Sequence, residues 1–101
     1  MKEADIIDAF KDSMHQSQAD VSLSIGDDGA IIDLDHDKQM VTVTDAITVD
    51  VHYPAGIEAE AIGYRSLAVN LSDMAAMGGV AKWANLVFSI PSINADWING
   101  F

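Results

Sequence analysis

The spacing of apolar residues changes period along the chain, and each change predicts a different element. In Glu3–Gln16, apolar residues recur every three or four positions with charged residues between them, which predicts an amphipathic helix. Val21–Ile25 alternates apolar and polar residues, the period of a half-exposed β-strand, and Ala30–Leu34 continues in an extended pattern. Met40–His52 is a longer alternating run rich in β-branched residues, and Trp83–Ile90 is apolar enough to predict a buried strand.

Between these last two runs lies Ala61–Gly79, which predicts a helix that is apolar on nearly every side. Arg65 and Asp73 are its only charged residues, and a helix of this kind is normally buried. A buried carboxylate needs a cation or several donors around it, so we expect a positive group near Asp73. One alternative is an ion pair with Arg65, although eight helical positions place the two residues about 12 Å apart.

The final predicted element is a short helix that contains Trp97 and begins at Ser92 or Asn94 as its N-cap. Gly78 and Gly79 are expected to end the long helix before it. The order of helix, strands, long helix, strand and helix predicts one mixed domain for the 101 residues. Because the sequence stops inside the last predicted helix, we expect it to be a fragment of a longer protein.

Composition and charge remove several classes of function. Asp and Glu number 16 against 5 Lys and Arg, a formal net charge of −11, so we expect neither a nucleic-acid-binding surface nor docking on an anionic membrane. The absence of cysteine excludes disulfides and thiolate metal sites. The acidic start lacks the apolar core of an export signal, and the long helix is too polar for a transmembrane span. We therefore expect a cytoplasmic protein.

Three acidic sites are candidates for chemistry: Asp27 with Asp28 between two glycines, Asp45 within an apolar strand pattern, and Asp73. Each has a structural alternative, which is respectively a solvated turn, a strand-end cap and an ion pair. Their joint occurrence in a chain with few basic residues nevertheless indicates a need for cations. Carboxylate oxygens are hard ligands, so Mg²⁺ that bridges carboxylates to phosphates is the expected cation.

The sequence does not match the common calcium-, phosphate- or dinucleotide-binding motifs. Asp33, Asp35 and Asp37 resemble the start of a calcium-binding loop, but Lys38 and Thr44 stand where that loop needs Gly and Glu. A solvated hairpin tip is the better interpretation of this segment. The chain has neither a phosphate-binding loop ending in Gly-Lys-Ser/Thr nor a dinucleotide-binding glycine motif.

The three histidines differ in their surroundings. His15 and His36 stand among polar residues, which is typical of the surface. His52 ends the predicted strand that carries Asp45, and it could point into the same site. A polar strand end is the simpler alternative, and spacing alone leaves both open.

Several segments together resemble the amino-terminal domain of the thiamine-monophosphate kinase family. The resemblance runs from about Val21 to Phe101, and the long helix is its most specific part. It is carried by Gly26–Ala30, Thr42–Asp45, Val51–Tyr53, Ile62–Gly78, Pro91, Trp97 and Phe101. The wider superfamily, which includes aminoimidazole ribonucleotide synthetase, selenophosphate synthetase and a hydrogenase maturation protein, shares the acidic sites more loosely.

This resemblance implies ATP-dependent phosphorylation of thiamine phosphate to thiamine diphosphate. The implied Mg²⁺ ligands are Asp28, Thr44, Asp45 and Asp73, with Asp27 and Val43 as further candidates. His52 matches the family histidine that contacts thiamine phosphate. Phosphoryl transfer depends mainly on positioning and on cations around the phosphate oxygens, so no residue is expected to act as a nucleophile.

The implied fold is α+β, a mostly antiparallel four-stranded sheet covered by helices, of the aminoimidazole ribonucleotide synthetase-like type. Residues 1–101 would form its amino-terminal ATP- and Mg²⁺-binding domain, which dimerises through the sheet. A Gly-Gly-Asp metal segment and a carboxy-terminal domain are expected beyond it, so the fragment alone should have little kinase activity. Two alternatives remain: a non-catalytic dimerising, metal-binding module, and another ATP-dependent enzyme of the superfamily.

Overall fold

The structure is a computed structural model that describes residues 2–14, 19–92 and 94–101. The chain forms two compact units, Met1–Met40 and Val41–Phe101, called here the first and second units. The predicted surface position of His15 lies outside the described residues, and so does the predicted continuation of the first helix to Gln16.

The first unit begins with helix α1, Glu3–Met14, as the apolar spacing predicts. Glu3 and Asp5 lie in its first turn and Lys11 in its last, so each charge opposes the helix dipole favourably. The backbone N–H of Lys2 donates to the Asp5 carboxylate at 2.7 Å and satisfies one of the donors left free at a helix start. Ile6 is half-buried, as expected of the apolar stripe.

A short antiparallel hairpin follows in the same unit, formed by β1, Val21–Leu23, and β2, Ile31–Ile32. Val21 pairs with Ile32 and Leu23 with Ile31, with an irregularity between the two pairs. The Ser22 hydroxyl donates a hydrogen bond to the Asp33 carboxylate across the pair. The alternating pattern therefore predicts both strands correctly and overestimates their length.

The second unit contains helix α2, Ala59–Ala76, and helix α3, Ala95–Gly100. The chain leaves α2 through Gly78, whose φ of 71° and N–H bond to the Ala75 carbonyl suit glycine at a helix end. Asn94 caps α3, because its side-chain oxygen accepts from the N–H of Trp97 at 3.1 Å. The glycine stop and one of the two predicted caps are thus confirmed.

The core of the second unit lies where α2 meets α3. Ala59 and Ile62 of α2 and Ile98 of α3 are its buried side chains. A Cβ on Gly63 would overlap the carbonyl oxygen of Phe101, so only glycine permits this approach of the two backbones. The contact extends into an aromatic group in which the ring centroid of Phe101 lies 5.5 Å from that of Trp97.

The sheet differs from the prediction. The described residues form one two-stranded sheet, and the structure does not confirm a sheet of four strands. Neither Met40–His52 nor Trp83–Ile90 is a strand, apart from one isolated bridge between Val49 and Tyr53. Alternation and β-branching favour an extended backbone, but a strand also requires a neighbour for its N–H and C=O groups. That neighbour is not fixed by local sequence.

The surroundings of α2 also differ from the prediction of a buried helix. Tyr64 is 78% exposed and Leu67 is 53% exposed, and Asp73 is exposed as well. The buried side chains of α2, Ala59 and Ile62, lie at the end that meets α3. Apolar residues around the whole helix were therefore not sufficient to bury it on all sides. No helix among the described residues has the length and apolar character needed to cross a membrane.

Candidate functional site

His52 lies in a tight turn that precedes α2. Within it, the N–H of Asp50 bonds the carbonyl of Tyr53 at 2.6 Å, and the N–H of His52 bonds the carbonyl of Thr48 at 2.8 Å. Asp50 has a φ of 64°, a left-handed conformation that aspartate tolerates better than most residues. The alternating sequence before the turn predicts a strand here, whereas these bonds fold the chain back on itself.

The same turn fixes the imidazole of His52. Its Nδ1 accepts a hydrogen bond from the backbone N–H of Thr48 at 2.9 Å. The hydrogen of the neutral ring is therefore on Nε2, which is left as a donor. Because His52 is exposed, this donor is available to a ligand.

A cavity of about 340 Å³ lies between the turn and α2. This volume is at the lower end of the range of about 300–1,000 Å³ found for small-molecule sites. Its lining includes His52, Tyr53 and Pro54 from the turn and Ala61, Tyr64 and Arg65 from α2. Mostly apolar walls with a few polar groups are typical of a binding site for a small organic molecule.

Arg65 is the cationic side chain of this cavity. It is exposed, and it makes no ion pair with any residue that the structure describes. The alternative in which Asp73 pairs with Arg65 is therefore wrong, because the two side chains project from α2 about two turns apart.

The predicted metal ligands of the second unit are accessible but dispersed. Thr44, Asp45 and Asp73 are all exposed, and Val43 is half-buried. The carboxylates of Asp45 and Asp73 accept no hydrogen bond from the described residues, so their oxygens are uncommitted. Carboxylate and hydroxyl oxygens suit Mg²⁺ chemically. Within each unit, however, no three described acidic or histidine side chains group closely enough to hold a metal ion.

Asp27 and Asp28 belong to the first unit, in the exposed loop between β1 and β2. The Asp27 carboxylate accepts from the N–H of the next residue, Asp28, at 2.8 Å. Asp28 keeps its own carboxylate exposed. Gly26 has a φ of 116°, and a Cβ there would lie 3.5 Å from the Lys11 ammonium, which places a cation of α1 beside the loop.

Sequence reasoning missed the joint position of Arg65 and His52 on one cavity. The helical signal for one side of it was present, because Ala61, Arg65 and Ala68 are spaced by four and three residues and so share a face. The other side depends on the turn at Asp50, which an uninterrupted alternating pattern conceals.

Comparison with known proteins identifies relatives along the whole chain. It is 35% identical over 101 residues to the thiamine-monophosphate kinase of Haemophilus influenzae, covering 100% of this chain and 31% of that protein. It is 33% identical over 99 residues to the enzyme of the same name from Escherichia coli (strain K12), covering 98% of this chain and 30% of that protein. It is 39% identical over 94 residues to the thiamine-monophosphate kinase of Bacillus subtilis (strain 168), covering 91% of this chain and 28% of that protein.

The chain thus spans about 30% of the length of these relatives. No solved structure matches it significantly. A family model does match, over residues 26–101, and its description is AIR synthase related protein, N-terminal domain. These residues include the loop at Asp28, the turn at His52 and both helices of the second unit, and on this match the chain belongs to the AIR synthase related protein family, through its N-terminal domain.

Proposed function

We propose that this chain is the amino-terminal part of a thiamine-monophosphate kinase, which transfers the terminal phosphoryl group of ATP to thiamine phosphate and yields thiamine diphosphate. The observation that carries the proposal is the similarity to proteins of that name over 91–100% of this chain. Because the chain spans about a third of their length, the reaction belongs to the full-length protein. The isolated 101 residues should have little or no activity.

The proposed metal ligands are Asp28, Thr44, Asp45 and Asp73, with Asp27 and Val43 as further candidates. Bound Mg²⁺ would neutralise charge on the phosphate oxygens, which is the main requirement of phosphoryl transfer. The uncommitted, exposed carboxylates of Asp45 and Asp73 support this role. The role of His52 is to donate from Nε2 to thiamine phosphate, and the bond from Thr48 to Nδ1 holds the ring for it.

The proposed assembly is a cytoplasmic homodimer in which residues 40–47 and 83–90 complete a mostly antiparallel four-stranded sheet. Apolar exposure in these segments supports the proposal: Val87 is 94% exposed and Met40 is 52% exposed. Burying such side chains contributes about 25 cal/mol for each Å² of apolar surface removed from water. A neighbouring strand would supply the missing backbone partners at the same time.

The test is turnover of thiamine phosphate by the full-length protein with ATP, with and without Mg²⁺. We expect formation of thiamine diphosphate that stops when Mg²⁺ is chelated and resumes when it is restored. Absence of thiamine diphosphate under saturating ATP and Mg²⁺ would refute the proposal. Turnover of another acceptor by the same preparation would instead assign the chain to another ATP-dependent enzyme of the family.

A second candidate, a dimerising and metal-binding module without catalysis, is favoured by the exposed apolar side chains, which suit an interface between two copies. Light scattering combined with titration of Mg²⁺ and ATP separates the two. Dimers that bind no nucleotide would support the module, whereas Mg²⁺-dependent ATP binding would support the kinase.

A further inference from the structure

The cavity beside His52 has a charge that is unusual for this chain. The sequence contains 16 Asp and Glu against 5 Lys and Arg, yet none of the acidic residues that the structure describes lines the cavity. Arg65 and His52 both do, and one carries a permanent positive charge while the other presents a hydrogen-bond donor. This lining favours an anionic group and offers no carboxylate to repel it.

Arg65 has the properties required of an anion-binding residue. Its guanidinium presents a planar set of donors that matches the oxygens of a phosphate, and no described residue neutralises it. It projects from a regular helix, so its backbone is fixed while its long side chain can adjust to a ligand. An unpaired arginine on a cavity wall is thus available for binding.

The remaining walls define the rest of the ligand. Pro54, Ile57 and Ala61 line the cavity with apolar surface, and Tyr64 adds an aromatic side chain. Inorganic phosphate would leave these walls in contact with water, whereas a phosphate ester with an organic body would cover them. The lining therefore matches a phosphate monoester that has an apolar or aromatic part.

We infer that Arg65 binds the phosphate group of thiamine phosphate in this cavity, beside His52, and so distinguishes the phosphorylated substrate from free thiamine. The inference rests on the proposed function for the identity of the ligand. It assigns Arg65 a direct contact with substrate, in addition to the contact implied for His52.

The test compares binding of thiamine phosphate and of thiamine to the full-length protein, without ATP and at a fixed Mg²⁺ concentration. Arg65→Gln should weaken thiamine phosphate binding by about tenfold to a hundredfold, the scale of a charged hydrogen bond, and leave thiamine binding unchanged. Arg65→Lys, which keeps the charge without the planar donors, should lie between the two. Lys38→Gln removes the same charge from an exposed position that is not part of the cavity lining and should bind both ligands normally.

Equal binding of thiamine phosphate by wild type and Arg65→Gln would overturn the inference, and so would equal losses for the two ligands, because the phosphate would then not be the group contacted. Absence of thiamine phosphate binding in the wild type would overturn it as well. The proposed function is judged separately by turnover. If thiamine phosphate binding depends on Arg65 but no turnover occurs, the proposed kinase function is refuted and the inference about Arg65 stands. If turnover occurs but binding does not depend on Arg65, the inference is refuted and the proposed function stands.

Discussion

The two halves of α2 are made from similar residues and have different surroundings. The first half, Ala59–Ala68, supplies two buried side chains, meets α3 through Gly63 and forms a wall of the cavity. In the second half, Val69–Ala76, Leu71 and Asp73 are exposed and no side chain is buried. The helix is therefore anchored at one end and open at the other.

Hydrogen bonds within the helix hold the second half in place, although none of its side chains is buried. The side chain of Asn70 donates to the Ser66 carbonyl at 2.8 Å, and the N–H of Met77 bonds the Asp73 carbonyl at 3.1 Å. Asp73 nevertheless lies in the last turn, where the helix dipole opposes a negative charge and no basic residue compensates. The helix dipole therefore gives Asp73 no stabilising role, whereas a bound cation would offset its charge.

The largest expected effect comes from Asp73→Asn in the full-length protein. If Asp73 holds Mg²⁺, turnover should fall by about two to three orders of magnitude, the scale of losing one preorganised charge-stabilising group. Without Mg²⁺, thermal stability should stay the same or rise slightly, because an unfavourable charge leaves the helix end. Steady-state kinetics and thermal unfolding of one preparation measure both.

Asp37→Asn is the matched control, since it removes the same charge from an exposed turn and is not one of the proposed metal ligands. It should retain wild-type turnover. An Asp73→Asn protein that unfolds would make Asp73 structural, and one with normal Mg²⁺-dependent activity would remove it from the metal site. Either result would mean that the open half of α2 has no special role in catalysis.

The sequence predicted both helices of the second unit, because local signals determine them. The end of α2 is set by Gly78 and the start of α3 by Asn94, each acting through bonds to residues at most three positions away. Met40–His52 could not be predicted in the same way. Its alternation is a local signal, whereas strand formation requires a distant partner.

For the candidate site, the sequence indicated residues and not their arrangement. Asp28, Asp45 and Asp73 stood out because each interrupts a pattern, but a pattern does not give the distances between side chains. The His52–Arg65 cavity was missed because it depends on a left-handed residue at Asp50. Aspartate tolerates that conformation without requiring it, so no residue type identified the turn.

A smaller effect is expected from Gly63→Ala, at the anchored half of α2. Alanine in place of glycine stabilises an exposed helix by up to about 1 kcal/mol. Here its Cβ would overlap the Phe101 carbonyl oxygen, which belongs to the backbone, and overpacking of this kind costs about 1–3 kcal/mol. We expect a net loss of about 1–2 kcal/mol in the free energy of unfolding, measured by urea denaturation.

Whether Gly63→Ala lowers or raises the free energy of unfolding tests the close approach of α2 and α3. A stabilised Gly63→Ala protein would show that α2 and α3 do not approach as closely in the full-length protein, and the contrast between the halves would disappear. Gly29→Ala is the control, because a Cβ at Gly29 would meet no atom within 4 Å. It should produce no loss of stability.

The smallest expected effect concerns the partner that anchors the first half of α2. Asn94→Ala removes the acceptor for the Trp97 N–H and should lower the free energy of unfolding by about 1 kcal/mol, whereas Asn94→Asp should retain most of it. Gln39→Ala is the matched control, since Gln39 carries the same carboxamide, is exposed and lies outside the described helices and strands, and it should change stability by less than about 0.5 kcal/mol. Urea denaturation of the three variants compares them directly. Because α3 has only 6 residues, it depends on its cap and on its contact with α2. Equal stability of Asn94→Ala and wild type would therefore show that packing against α2 alone holds it in place.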